Sequence, residues 1–115
     1  MRHDVSEDDT AIALGSGDVP VLGTPRLVAW MEAATVAVAG AFVEEGQTSV
    51  GTAVRVEHLR ATAVGGWVEV TATVAAVTGR RLTFVVRAVD GAGEVVGSGE
   101  IDRVVVDRAR FLGGA

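Results

Sequence analysis

The sequence predicts an α+β fold, in which one long apolar helix is wrapped by a curved antiparallel sheet of about five strands. Three observations point there. From Leu27 to Val43 the chain is apolar almost throughout and carries a single charge, Glu32. After that run, apolar side chains recur at every second position, the period of a strand. Glycine-containing breaks at Gly65-Gly66, Thr78-Gly79-Arg80-Arg81 and Asp90-Gly91-Ala92-Gly93 cut the alternating region into strand lengths.

The helix has recognisable ends. Thr24 before Pro25 reads as a start: the hydroxyl can cap free N–H groups, and proline takes a position whose N–H has no use. Glu44-Glu45 and Gly46 mark the stop. The interval predicts a helix of roughly 20 residues, about 30 Å long. Leu27, Met31, Ala34, Val38 and Phe42 share one stripe, while Val28, Trp30, Val36, Ala39 and Val43 cover much of the rest. A helix apolar nearly all round is buried on most sides or lies in a membrane. The membrane alternative fails on length, on the central carboxylate and on the lack of cationic flanks.

Before the helix, residues 1–9 (MRHDVSEDD) read as a loose polar arm and Thr10 to Leu14 as a short strand, followed by a turn at Gly15-Ser16-Gly17-Asp18. After it, Gly46 to Ser49 form a turn, and Val50 to Arg60 form a strand. Its alternation puts His58 with Val54 and Val56 on the core side, and Arg55 and Glu57 toward solvent. Val68, Val70, Ala72, Val74 and Ala76 alternate along Trp67 to Val77, and Leu82, Phe84, Val86 and Ala88 along the next strand. Glu94 to Asp107 form the last strand, where Gly97 and Gly99 suggest a bulge or bend, and the tail frays after Phe111. A meander of four strands round one helix, with a short strand before it, is a hot-dog arrangement, one domain over residues 1–115. Its free edges and open face favour self-association as a homodimer, or as a tetramer of such dimers.

Composition narrows the function. A chain of 115 residues with 49% hydrophobic content can bury a real core. Its net charge of −5 argues against nucleic acid as a partner. The absence of a signal peptide makes a cytoplasmic protein, with no membrane partner, the expectation. There is no Cys, so no thiolate nucleophile or thiolate metal site, and all ten basic residues are Arg, so no lysine Schiff base. Tyr is absent and His3 and His58 are the only histidines, which leaves no multi-histidine zinc site. No metal and no cofactor are expected. Carboxylates, one histidine, hydroxyls, backbone amides and helix dipoles remain as chemical tools.

Several segments carry a resemblance. They are Leu14-Gly15-Ser16-Gly17-Asp18-Val19-Pro20-Val21, Thr24-Pro25 with Met31-Glu32, and Ser49-Val50-Gly51-Thr52 running to Val56-Glu57-His58. Gly79-Arg80-Arg81-Leu82 and Asp102-Arg103-Val104 follow. With them the chain resembles the hot-dog thioesterases, and among these the fluoroacetyl-CoA thioesterase-like family. The resemblance implies hydrolysis of a short- or medium-chain acyl-CoA, and it puts the family's catalytic threonine, glutamate and histidine on Thr24, Glu32 and His58, eight and then twenty-six residues apart. The fluoroacetyl-specific member has a longer N-terminal part with phenylalanines over its acyl pocket. Here no Phe precedes Phe42, so fluoroacetyl selectivity is not implied.

Each candidate has a plainer alternative. Charged residues are rarely buried without a partner or a task, which marks Glu32 as a general base or direct attacker; a half-buried Glu snorkelling to solvent or pairing with an Arg is the alternative. His58 can hold water, donate to a carbonyl or shuttle a proton, or be a core histidine bound to a backbone carbonyl. Thr24 caps the helix, or bonds the histidine or substrate, or attacks. The helix start offers N–H groups to an oxyanion, with Gly23 and Thr24 as the candidates. Arg60, Arg80 and Arg81 are candidates for CoA phosphates, or simply solvated strand ends. A hydratase would carry a different Asp and His pattern. A non-catalytic acyl-CoA or small-ligand binding module is the reading from another functional class.

Overall fold

The computed structural model describes residues 1–113. The chain runs through β1 (Arg2–Asp4), a 3-10 turn (Glu7–Asp9), α1 (Ala11–Leu14), α2 (Thr24–Ala39) and a second 3-10 turn (Gly40–Phe42). Then come β2 (Gln47–His58), β3 (Trp67–Thr78), β4 (Arg81–Asp90), β5 (Val95–Asp107) and α3 (Arg108–Gly113). The five strands form one antiparallel sheet in the order β1-β3-β4-β5-β2. Helix α2 lies on its concave face, which is the hot-dog arrangement.

The core follows the predicted alternation. Leu27 and Met31 of α2 meet Val68, Val70, Leu82, Phe84, Val86 and Ile101 of the sheet, all at 1% exposure or less. Gly97 lets the helix sit this close: a Cβ there would lie 2.8 Å from Leu27 Cδ2 and 3.1 Å from Met31 Cε. The bulge expected near Gly97 is present. β5 carries one extra residue, Val96, where its pairing with β4 shifts, and the Val96 carbonyl accepts the N–H groups of Leu59 and Arg60. That bond fixes the end of β2 and with it His58.

Several expectations need correction. Residues 1–9 are not a loose arm: β1 pairs with β3, His3 stacks on Trp30 at 4.4 Å, and Arg2 covers Trp67. A three-residue strand is too short to show alternation, so side-chain contacts hold it instead. Thr10 to Leu14 form no strand. Thr10 accepts the Ala13 N–H through its hydroxyl and starts α1, which Gly15 ends at φ 69°. Helix α2 stops at Ala39 and tightens into the 3-10 turn, as expected of a segment beginning with glycine, a poor helix former. β2 begins at Gln47, earlier than expected, and a bulge at Thr52 resets its register against β5. The last four strands are not a simple meander, because β2 lies outside β5 at the sheet's edge. The tail forms α3 through Gly113.

Only one side of α2 is covered. Ala29, Ala33, Val36, Ala37 and Gly40 are exposed on the other, and β2 leaves a free edge of 12 residues. Among the described residues no helix is long and apolar enough to cross a membrane.

Candidate active site

Thr24 opens α2 and His58 closes β2, and the fold brings these two ends together. Gly23 is the helix N-cap, Thr24 the first helical residue and Pro25 the second. The Thr24 hydroxyl is therefore not a cap. It meets His58 Nδ1 at 2.7 Å. His58 lies on the concave face, opposite Gly97, as its alternation predicts. Its Nε2 is buried and has no hydrogen-bond partner among the described residues. Desolvation lowers the His58 pKa below the ordinary histidine value, with the Arg60 backbone acting more weakly in the opposite sense. The ring thus favours its neutral form, which one nitrogen of a proton acceptor requires.

The pair opens into a cleft of about 320 Å³ whose walls include Gly17, Asp18, Val19 and Arg60. Ser16, Gly17 and Asp18 of the turn expected at residues 15–18 thus line the cleft. At the helix start the candidate oxyanion amides separate. The Gly23 N–H is engaged by the Asp9 carbonyl and the Leu22 N–H by Thr62, while no partner takes the Thr24 N–H among the described residues. Gly23 is removed as an amide donor to substrate, and Thr24 remains.

Glu32 is not in this cleft. Eight residues along α2 place it about 12 Å up the axis from Thr24. Nor is it sealed in the core: its side chain is 40% exposed, and Arg103 Nη1 stands 3.6 Å from Oε2. Within one chain the threonine and histidine form a unit, and the glutamate belongs to a second cluster with Arg103, Ser49 and Gly51. Sequence reasoning passed over Arg103 and Ser49 as site residues. The available signal was a charged residue on the inward phase of β5, between Ile101 and Val105.

The arginines also divide. Arg60 lines the cleft and lies 3.7 Å from Glu94. Arg80 and Arg81 sit at the β3–β4 hairpin. Arg81 pairs with Val104, seven residues along β5 from the Gly97 that faces His58, roughly 23 Å of strand. Within one chain they do not share the cleft. No group of three His, Cys, Asp or Glu side chains is placed to hold a metal among the described residues.

Residues 5–109 match the family of fluoroacetyl-CoA-specific thioesterases, FlK. The chain belongs to this family. The fluoroacetyl-CoA thioesterase of Streptantibioticus cattleyicolor is 42% identical over 91 residues, 79% of this chain and 65% of that protein, so the match spans just under two thirds of the relative. A variant of FlK in complex with fluoroacetate and CoA superimposes with a TM-score of 0.90 at 34% identity, over 99% of this chain and 93% of that one. A hot-dog-like protein from Thermanaerovibrio acidaminovorans gives 0.90 at 29% identity, over 99% and 84%. Family membership and fold thus agree with the geometry of α2 on the sheet.

Proposed function

We propose that this protein is an acyl-CoA thioesterase that cleaves a short- or medium-chain acyl-CoA to the free acid and CoA. The observation that carries the reading is the 2.7 Å contact between Thr24 Oγ1 and His58 Nδ1 beside an unengaged helix N-terminal amide. A hydroxyl hydrogen-bonded to a neutral imidazole is an activated nucleophile. Thr24 Oγ1 attacks the thioester carbonyl carbon and its proton passes to His58. The oxyanion faces the Thr24 N–H and the positive end of α2. The C–S bond then breaks, and the CoA thiolate takes the proton from His58. Water, deprotonated by His58, hydrolyses the acyl-threonine ester, which restores Thr24 and releases the acid.

Glu32 enters this scheme through assembly. It lies on the exposed side of α2, next to the free edge of β2, and two copies related by a two-fold axis would cover both features. A Glu32 carboxylate remote from Thr24 in its own chain can then serve the pair of the second copy, by orienting the hydrolytic water that His58 deprotonates. The FlK structure with fluoroacetate and CoA supports an acyl-CoA as the ligand class. Among the described residues, the cleft wall that includes Gly17, Asp18 and Val19 presents no Phe or Trp side chain, which suits a range of short acyl groups.

The test is CoA release over a panel of acyl-CoA esters, with trapping of the acyl-enzyme for mass spectrometry. Turnover lost in Thr24→Ala and His58→Ala supports the reading, and an acyl adduct on Thr24 supports the covalent route. Tight binding of acyl-CoA with no release, unchanged in either variant, would leave a non-catalytic binding module.

A further inference from the structure

We propose that Arg103 is a positioning residue whose role is to hold the Glu32 carboxylate in place. The proposal rests on the reading that Glu32 serves the reaction, but it stands on geometry of its own.

Arg103 points inward from β5 at 6% exposure, where a guanidinium is expensive to keep unless its donors are used. Two are used on one residue of the neighbouring strand. Nε donates to Ser49 Oγ at 2.9 Å and Nη2 to the Ser49 carbonyl at 2.9 Å. This double attachment fixes the plane of the fork against β2. The remaining arm, Nη1, is aimed at Glu32 Oε2 at 3.6 Å, its one carboxylate neighbour at ion-pair distance among the described residues. Burial lowers the Arg103 pKa and the Glu32 charge works against that shift.

The slot that receives the carboxylate is cut into β2. A Cβ at Gly51 would lie 2.7 Å from Glu32 Oε2 and 3.5 Å from Arg103 Nη1, so glycine leaves the space the carboxylate fills. The bulge at Thr52 follows immediately. Arg103, itself held by Ser49, and the space left at Gly51 thus border one side of the carboxylate, and its 40% exposure leaves the other side open to water or substrate. A separation of 3.6 Å orients the carboxylate without spending its hydrogen-bonding capacity on Arg103.

A double-mutant cycle on the full chain tests this. Arg103→Met and Ser49→Ala are made in the parent and in Glu32→Gln, and kcat, KM and thermal unfolding are measured for each. In the parent, Arg103→Met is expected to lower kcat at least tenfold and leave KM within about twofold, with Arg103→Lys restoring part of the loss. In Glu32→Gln neither change lowers kcat further. Equal fold losses in both backgrounds would overturn the proposal, since Arg103 would then act independently of Glu32. If Arg103→Met does not fold, Ser49→Ala carries the same cycle without stripping the buried charge. If Glu32→Gln leaves kcat intact, the catalytic reading of Glu32 falls. The unfolding cycle then decides the positioning claim: a double variant less destabilised than the two singles together supports it, and additive losses overturn it.

Discussion

Thr24 Oγ1 and His58 Nδ1 lie 2.7 Å apart, joining the first residue of α2 to the last residue of β2. The contact frees the threonine from the capping role its place before proline suggests. Thr24→Ala is therefore expected to leave stability within about 0.5 kcal/mol of the parent, whereas loss of a true cap costs about 1 kcal/mol. The same change should lower kcat by about 10² to 10⁴-fold. Chemical denaturation beside CoA-release kinetics separates the two. A large stability loss with unaltered kcat would return Thr24 to a structural role.

The histidines set a pH dependence. Burial lowers the pKa of both His58 and His3 below 6.5, and for His3 the nearby N-terminal ammonium adds to the effect while Asp9 and Glu69 oppose it. Between the folded value and 6.5 the unfolded chain binds more protons, so stability rises with pH there. The contribution is complete above 6.5 and is lost as pH falls through the lowered values. Unfolding temperature should drop from pH 7 toward pH 5, and His3→Gln should flatten that slope. The acid limb of kcat/KM should lie below 6.5, because His58 stays neutral longer than a free imidazole. A limb above 6.5 would remove His58 as the proton acceptor.

The fold was legible where periodicity is long. The alternation from Leu82 to Ala88 and the apolar run of α2 located the core and the wrapped helix directly. Short elements were not legible, because β1 is held by Met1, Arg2 and His3 contacts that no pattern of three residues encodes. In the site, a Thr24–His58 hydrogen bond was one of several alternatives the sequence left open, and the structure shows that contact. For Glu32 the sequence left open a half-buried carboxylate paired with an Arg, but an apolar run does not reveal which side of the helix lies open or which Arg is near. Arg103 and Ser49 were hidden by separation in the chain: two side chains that touch stand 54 positions apart.

The arginines separate by place. Arg60 lines the cleft, whereas Arg80 and Arg81 occupy the distant hairpin. Arg60→Ala should raise KM for acyl-CoA several-fold with kcat nearly unchanged, the mark of lost uniform binding. Its effect should shrink at high salt, as exposed charge contacts do. Equal effects from Arg81→Ala would mean that CoA reaches the hairpin of a second copy.

Assembly is testable on the exposed side of α2. Val36 and Val54 are 51% and 44% exposed, the first on the helix and the second on the free-edge strand. Light scattering should give the mass of a dimer, or a multiple of it, for the parent protein. Val36→Asp together with Val54→Asp should reduce it to a monomer. A parent protein that is monomeric at assay concentration and fully active would rule out any contribution of a second copy to the site.

Two glycines of β5 bear different loads. At Gly99 a Cβ would collide with the Arg55 carbonyl, a backbone atom of the paired strand β2. At Gly97 the nearest obstacle is the tip of Leu27, 2.8 Å away, which can shift into another rotamer. Gly99→Ala should cost about 3 kcal/mol and Gly97→Ala about 1 kcal/mol, as overpacking against rigid and yielding neighbours does. Urea midpoints for the two variants give the comparison. Because β2 carries His58, Gly99→Ala should also lower turnover at temperatures where the variant is still folded. Equal midpoints would mean that β2 yields as readily as a leucine side chain, and that the sheet does not hold His58 rigidly against Thr24.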